Sequence, residues 1–250
     1  MKMCYNGPGS DIMKRNIIMI LGSVMCVVLA SIAYLKIANT TNDALKFKEE
    51  YEALNGTEAY EKKYKELNIS RENPIKYSNY DEILDIIKNK TGIIYFGFPE
   101  CPWCRNALPV LFDVAKENDI DTIYYLNILN ERDSYTVEDG KLVYATDEDG
   151  NEKKGTEGYF KLLKALDEHL TEYTIVYEEE TYEVGEKRLF APSVVFVKDG
   201  DVLGVHVSTV TSQTDPYEDL TEEQYNELYD IYEGYIFQMN NSACSLDSAC

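Results

Sequence analysis

The sequence predicts an α/β domain, a central mixed sheet with helices on both sides, carried behind one N-terminal transmembrane helix. Three observations carry that prediction. An uncharged, mostly apolar run fills 16–35. Two short apolar runs, Ile93–Phe98 and Ile120–Leu129, bracket a stretch with helical periodicity, the pattern of a strand–helix–strand unit. Pro192–Val197 is followed by Asp199-Gly200 and then Val202–Val207, which reads as an antiparallel pair across a tight turn.

The run 16–35 has the length of a membrane-spanning helix, which needs about 20 apolar residues. Lys14 and Arg15 stand before it and Lys2 further back, whereas the downstream flank offers Lys36 and then mixed charge. The positive-inside rule therefore places 1–15 in the cytoplasm and everything after the run outside. Ala30-Ser31-Ile32-Ala33 imitates a signal-peptide cleavage site, so cleavage is the competing reading, with a buried core helix as a third. A lipoprotein would need a small residue just before Cys26, and Met25 stands there. The length of the run favours an uncleaved signal anchor. The expectation is a single-pass cell-membrane protein with an extracytoplasmic domain.

Composition narrows the partners. Of 250 residues, 44% are hydrophobic and 12% aromatic, enough for a packed domain. The formal net charge is −21. A phosphate backbone or an anionic lipid surface is bound by clustered Lys and Arg, so no nucleic-acid partner is expected.

In chain order, 36–73 reads as a juxtamembrane helical spacer. Asn42–Leu67 is charged and helix-prone, with Ala44, Leu45, Tyr51 and Leu54 as sparse apolar markers and a break at Asn55-Gly56. The domain is expected over 74–240. Ser78 and Asp81 suggest a capping box, Ile83, Leu84, Ile86 and Ile87 a helical stripe, and Gly92 its C′ residue. Ile93–Phe98 is a continuous apolar run, as in a strand buried on both faces. It leads into Pro99-Glu100-Cys101-Pro102-Trp103-Cys104, after which Ala107, Leu108, Leu111, Phe112, Val114 and Ala115 mark a helix. Ile120–Leu129 follows as a parallel strand. Asp139-Gly140 and Asp149-Gly150 signal turns. Tyr159, Leu162, Leu163, Leu166 and Leu170 mark a helix, and Thr174–Tyr177 and Thr181–Val184 short strands. After the Pro192–Val207 hairpin, Thr221 and Gln224 form a second capping box. Tyr225, Leu228, Tyr229, Tyr232, Ile236 and Met239 give the stripe of a final helix. The tail 241–250 contains Cys244 and Cys250.

The chemistry gathers at cysteine. Of six, Cys4 falls on the cytoplasmic side, Cys26 in the membrane run, and Cys101, Cys104, Cys244 and Cys250 outside. An even count in an oxidising compartment is compatible with two disulfides. Cys101 and Cys104 lie between a buried strand and a helix start. There free backbone N–H groups and the helix dipole stabilise a thiolate. Two intervening residues let the second sulfur turn back on the first, so the pair can attack, hold and resolve a foreign disulfide. A zinc site from the four outer cysteines is disfavoured by the wide Cys244–Cys250 spacing. His169 and His206 have no ligand set beside them, so neither metal nor cofactor is expected. Glu100 should raise the Cys101 pKa, while Arg105 and the helix terminus should lower it. That balance sets whether the pair oxidises or reduces, and the sequence leaves both open. A small Cys244–Cys250 disulfide loop is the simplest reading of the tail. A tethered dithiol exchanging with Cys101–Cys104, or free thiols engaging a partner, are the others.

From Tyr77 to Met239 the chain resembles the thioredoxin superfamily. FGFPECPWCR and Ala-Pro-Ser-Val-Val-Phe-Val are similar to a low-GC Gram-positive group often labelled bacteriocin-accessory or thioredoxin-like thiol–disulfide proteins. The resemblance implies a thioredoxin fold, with Cys101 as the exposed attacking thiol and Cys104 as the buried resolving thiol. Pro109 takes the place of the proline that kinks the active-site helix. Pro192 takes that of the cis-proline facing the cysteines, with the Ala191 backbone free to pair with an extended substrate. Trp103, Ala191 and Pro192 are thereby expected to touch substrate. The chain departs from the pattern at Tyr95, where thioredoxins carry a buried acid, at Pro102-Trp103 between the cysteines, and in a longer segment over 130–189, read as an insertion. The resemblance implies an extracytoplasmic oxidoreductase acting on cysteine-containing proteins or peptides with a membrane redox partner. The alternative is a non-catalytic accessory module for peptide or bacteriocin export, which would not need both cysteines.

Overall fold

The computed structural model describes residues 42–59 and 61–241, with Leu21, Met25 and Leu29 besides. The expected anchor over 16–35, apart from those three residues, lies outside the described residues, as do Cys4, Cys26, Cys244 and Cys250. Among the described residues no helix is long and apolar enough to cross a membrane. The chain divides into two units, Met1–Asn42 and Asp43–Cys250, and every element below belongs to the second.

The second unit begins with a helix over 43–52 (α1) and a two-residue hairpin, β1 (Glu58–Ala59) and β2 (Lys62–Lys63). Then come β3 (Ile75–Tyr77), α2 (Tyr80–Asn89), β4 (Gly92–Gly97), α3 (Pro102–Glu117) and β5 (Ile123–Asn127). A middle section holds β6 (Tyr135–Glu138), β7 (Lys141–Tyr144), α4 (Glu157–Ala165), β8 (Thr171–Tyr177) and β9 (Glu180–Arg188). β10 (Ser193–Lys198), β11 (Asp201–Val207) and α5 (Glu222–Asn240) close the fold.

The central sheet has five strands in the order β11-β10-β4-β5-β3. β3, β5 and β4 run parallel, with Ile75 and Ile93 both in register with Ile123. β10 lies antiparallel to β4, Val194 opposite Tyr95, and β11 returns beside β10. This is an α/β protein with a mixed sheet flanked by helices. Ile93–Phe96 in β4 and Val194–Val197 in β10 are fully buried, which is why both read as unbroken apolar runs. α5 packs on β10, where Tyr235 stacks on Phe196 at 4.7 Å between ring centroids. α2 and α4 pack together, as do α3 and α5.

The helix ends refine the expectations. Asn79, not Ser78, caps α2, its side chain accepting the Glu82 N–H at 3.0 Å. Ser78 instead donates its hydroxyl to the Glu82 carboxylate. Lys90 closes that helix, and Gly92 opens β4 rather than serving as C′. Thr221 and Gln224 form the expected capping box on α5.

The segment 130–189 stands apart from the central sheet as two hairpins and α4. The β6–β7 turn is Asp139-Gly140, with φ of 49° and 71°, both positive as a two-residue hairpin turn requires. β8 and β9 are longer than the short strands expected there, and they turn at Glu178-Glu179, also with positive φ at both.

The largest correction concerns 36–73. The part from residue 43 onward, expected to be a spacer, belongs to the core of the domain. Ala44, Phe47 and Tyr51 are buried, and so are Leu67 and Ile69. The Phe47 ring stacks on Tyr51 at 4.3 Å and meets the Tyr125 edge at 4.9 Å. Asn73 donates its side-chain amide to the Ala44 carbonyl at 2.8 Å. The cause is periodicity: Ala44, Phe47 and Tyr51 recur at three and four residues and make one apolar face. Leaving out Phe47 and adding Leu45 and Leu54 to Ala44 and Tyr51 dissolves that face.

Candidate dithiol site

β4 delivers the chain to the site and α3 carries it away. After Gly97 the chain turns through 98–100, and the Cys101 N–H donates to the Phe98 carbonyl at 3.2 Å. Cys101 is the N-cap of α3, with Pro102 in the first turn, where a missing N–H costs nothing. The Cys101 sulfur accepts the Cys104 N–H at 3.1 Å, a contact that would stabilise a thiolate. The Cys101 S–H in turn donates to the Ala191 carbonyl at 3.4 Å. Both cysteines are free thiols. The expectation of an exposed Cys101 is corrected: it is 5% exposed, covered in part by the Ala191 loop, while Cys104 is 0% exposed.

The covering loop is held from two sides. The Ala191–Pro192 bond is cis. Ser193 donates its hydroxyl to the Phe190 carbonyl at 2.6 Å, and Ser208 N–H donates to the Pro192 carbonyl at 2.8 Å. Ala191 thus meets Cys101 directly, and Pro192 sits in the same turn. Trp103 is half-buried in the first turn of α3, packed on the edge of the core. Pro109 lies inside α3.

Below Cys104 is a nest of phenols. A Cβ on Gly97 would collide with the Tyr95 hydroxyl and stand 3.1 Å from the Cys104 sulfur, so glycine is what lets these groups close up there. Tyr95 and Tyr51 share a hydrogen bond at 3.3 Å between their hydroxyls. Tyr125 donates to the Gly97 carbonyl at 3.3 Å. Burial pushes the ionisation of Tyr95, Tyr51 and Tyr125 upward, and the neighbouring cysteine adds to it in each. All three stay neutral donors at ordinary pH. Phe47 and Tyr51 of α1 supply one wall of this nest.

Electrostatics at Cys101 differ from the expectation. Arg105 does not face the thiols. Its guanidinium is buried against 51–65, donating to the Tyr51 carbonyl at 2.7 Å, to the Lys65 carbonyl at 2.8 and 2.6 Å, and to Asn55 Oδ1 at 2.6 Å. The cation at the site is Arg132, just past β5, whose guanidinium lies 4.8 Å from the Phe98 ring centroid. Burial pushes the Cys101 thiol well up, and the adjacent Cys104 pushes it further. The Cys104 N–H and the charge of Arg132 oppose that shift. Arg132 was missed in the sequence. The available signal was topological: β4 and β5 are parallel neighbours, so the residues that follow their carboxyl ends share one crevice.

His206 is half-buried, its ring edge-on to Tyr232 of α5 and its Nε2 2.8 Å from the Thr209 carbonyl. Burial lowers its pKa. Among the described residues no group of His, Cys, Asp and Glu is arranged to hold a metal ion.

Two thiols one helical turn apart, one sulfur capping the helix and the other sealed beneath it, can close a disulfide on loss of two electrons and two protons. Compared with family models, with curated proteins and with solved structures, the chain finds no significant match.

Proposed function

We propose that this chain is a thiol–disulfide oxidoreductase of thioredoxin fold, acting outside the cytoplasm on cysteine-containing proteins or peptides. The observation that carries the reading is the capped dithiol: Cys101 Sγ receives the Cys104 N–H at 3.1 Å under the Ala191 carbonyl. The β-α-β, α, β-β, α order around a mixed sheet supports the fold assignment, with 130–189 as an insertion and α1 as an added core helix. The run 16–35 supports membrane anchoring, and a membrane redox partner would exchange electrons with the pair.

The reaction balances in two steps. The Cys101 thiolate attacks one sulfur of a substrate disulfide, and the other sulfur leaves as a thiolate and takes up a proton. Cys104 then loses its proton and attacks the Cys101 sulfur, expelling the second substrate thiolate. The protein dithiol becomes a disulfide and the substrate disulfide becomes two thiols. Run backward, the same steps oxidise a substrate. In this reading the Ala191 carbonyl, released from the Cys101 S–H, pairs with an extended substrate backbone, and Trp103 and Pro192 are the further substrate contacts.

The assignment is tested by trapping. Cys104→Ser should accumulate mixed disulfides with a disulfide-bearing peptide, seen as a dithiothreitol-sensitive mass increase on the Cys101 peptide. Cys101→Ser should form none. Adducts on Cys104 in the Cys101→Ser protein, at the rate of the first variant, would reverse the roles.

A further inference from the structure

The loop that leaves β5 runs Asn130-Glu131-Arg132-Asp133, and its two carboxylates make their hydrogen bonds and ion pair with residues other than Arg132. Glu131 accepts from the Tyr80 hydroxyl at 3.1 Å and the Thr156 hydroxyl at 3.0 Å. Asp133 is buried and faces Arg188, with 3.3 Å between Oδ1 and the guanidinium nitrogen. Arg188 is itself packed over the Tyr173 ring at 4.0 Å. Among the described residues, Arg132 makes no ion pair, although the Asp133 carboxylate is near enough to feel its charge. Its guanidinium rests on Phe98, the residue whose carbonyl holds the Cys101 N–H. A half-buried cation without a counter-ion is costly unless a negative charge forms beside it. The site forms one: the Cys101 thiolate.

We propose that Arg132 is the cation that lowers the cost of ionising Cys101, and so sets the pH at which the dithiol becomes reactive. The inference rests on the oxidoreductase reading above. The groups facing Cys101 leave this part to Arg132. α3 contributes Cys104, whose side chain raises the ionisation of Cys101, along with the helpful Cys104 N–H. β4 contributes Tyr95, which stays neutral. The loop before β10 contributes the Ala191 carbonyl, an acceptor that cannot stabilise an anion. Behind Arg132 stand Arg188 and Tyr159, and the charge of Asp133 is felt by both arginines, by Arg188 more strongly. Two guanidinium groups against this one carboxylate leave one positive charge over for the thiolate. The pairing is reciprocal, since the cysteines favour the charged form of Arg132 while its burial and Arg188 oppose it.

The test uses the full chain and the pH dependence of Cys101 alkylation by iodoacetamide, read on the Cys101 peptide by mass spectrometry. An opposite charge beside a thiol moves its ionisation by about one unit or more. Arg132→Gln should therefore shift the midpoint upward by about one unit and slow labelling below it about tenfold. Arg132→Met, a second neutral side chain of different polarity, should do the same. Arg132→Lys, which keeps the charge, should recover most of the shift. Superimposable profiles for the wild type and both neutral variants would overturn the proposal. So would Arg132→Lys behaving like Arg132→Gln, which would reduce Arg132 to packing on Phe98. Cys104→Ser trapping, run in parallel, separates the two levels. Trapping with an unmoved profile sinks the role of Arg132 alone, and a moved profile without trapping sinks the oxidoreductase reading while leaving the charge pairing intact.

Discussion

Arg105 holds the segment before β3 to α3 through three oxygen acceptors and a cation–π contact with Tyr64. Two backbone carbonyls and the Asn55 side chain surround a guanidinium that is fully buried, and burial favours its loss of charge. Removing such a donor leaves buried acceptors bare, at about 1–3 kcal/mol each. Arg105→Met should lose roughly 3 kcal/mol or more in urea unfolding. In the folded protein the Cys101 alkylation profile should stay where it is, because this guanidinium does not face the thiols. Proximity in sequence is what misassigned it: a helix turns about 100° per residue, so a neighbour of Cys104 points away from it. The placement of the cysteines was legible, since an unbroken apolar run that ends at Cys-x-x-Cys before a helical stripe marks strand, turn and helix start. Tyr95 was legible as an oddity, but its hydroxyl partner Tyr51 lies 44 residues earlier and nothing local announces the pairing.

α1 is where the account of the elements is most exposed to test. Its apolar face reaches Tyr95 and Tyr125, the phenols beneath Cys104. Phe47→Ala should destabilise the domain by about 3–5 kcal/mol, the usual cost of emptying a buried aromatic site. A juxtamembrane spacer would show almost no change in the same denaturation curve. The strands that build the floor of the site could be read without a structure, because Ile93–Phe96 and Val194–Val197 are buried on both faces and run unbroken as large apolar and aromatic residues. α5 could be read from its stripe and capping box. The β8–β9 hairpin extends beyond its expected bounds because its faces are largely exposed and polar, so the ladder continues where hydrophobic alternation has stopped. Cap choice at α2 was decided by geometry: Ser78 and Asn79 are both good cap residues, and only their backbone positions select Asn79.

At the scale of the molecule, a chain of net charge −21 sets the Arg132 guanidinium against Phe98, close to the turn that holds Cys101. The sheet order brings together three segments far apart in sequence: the β4–α3 turn with the cysteines, the β5 exit with Arg132, and the turn before β10 with Ala191 and Pro192. All three lie at one end of the central strands, and this convergence supports reading the site as a redox centre. The measurement that tests that reading most directly is a redox titration of the full chain in glutathione buffers, followed by the masses of the Cys101–Cys104 peptide. A redox-active pair should show a reversible two-electron transition between dithiol and an internal Cys101–Cys104 disulfide, with a midpoint between about −270 and −120 mV, the range of protein dithiol oxidoreductases. A pair that stays a dithiol across the whole range, or that oxidises only by linking Cys101 or Cys104 to some other cysteine, would contradict it.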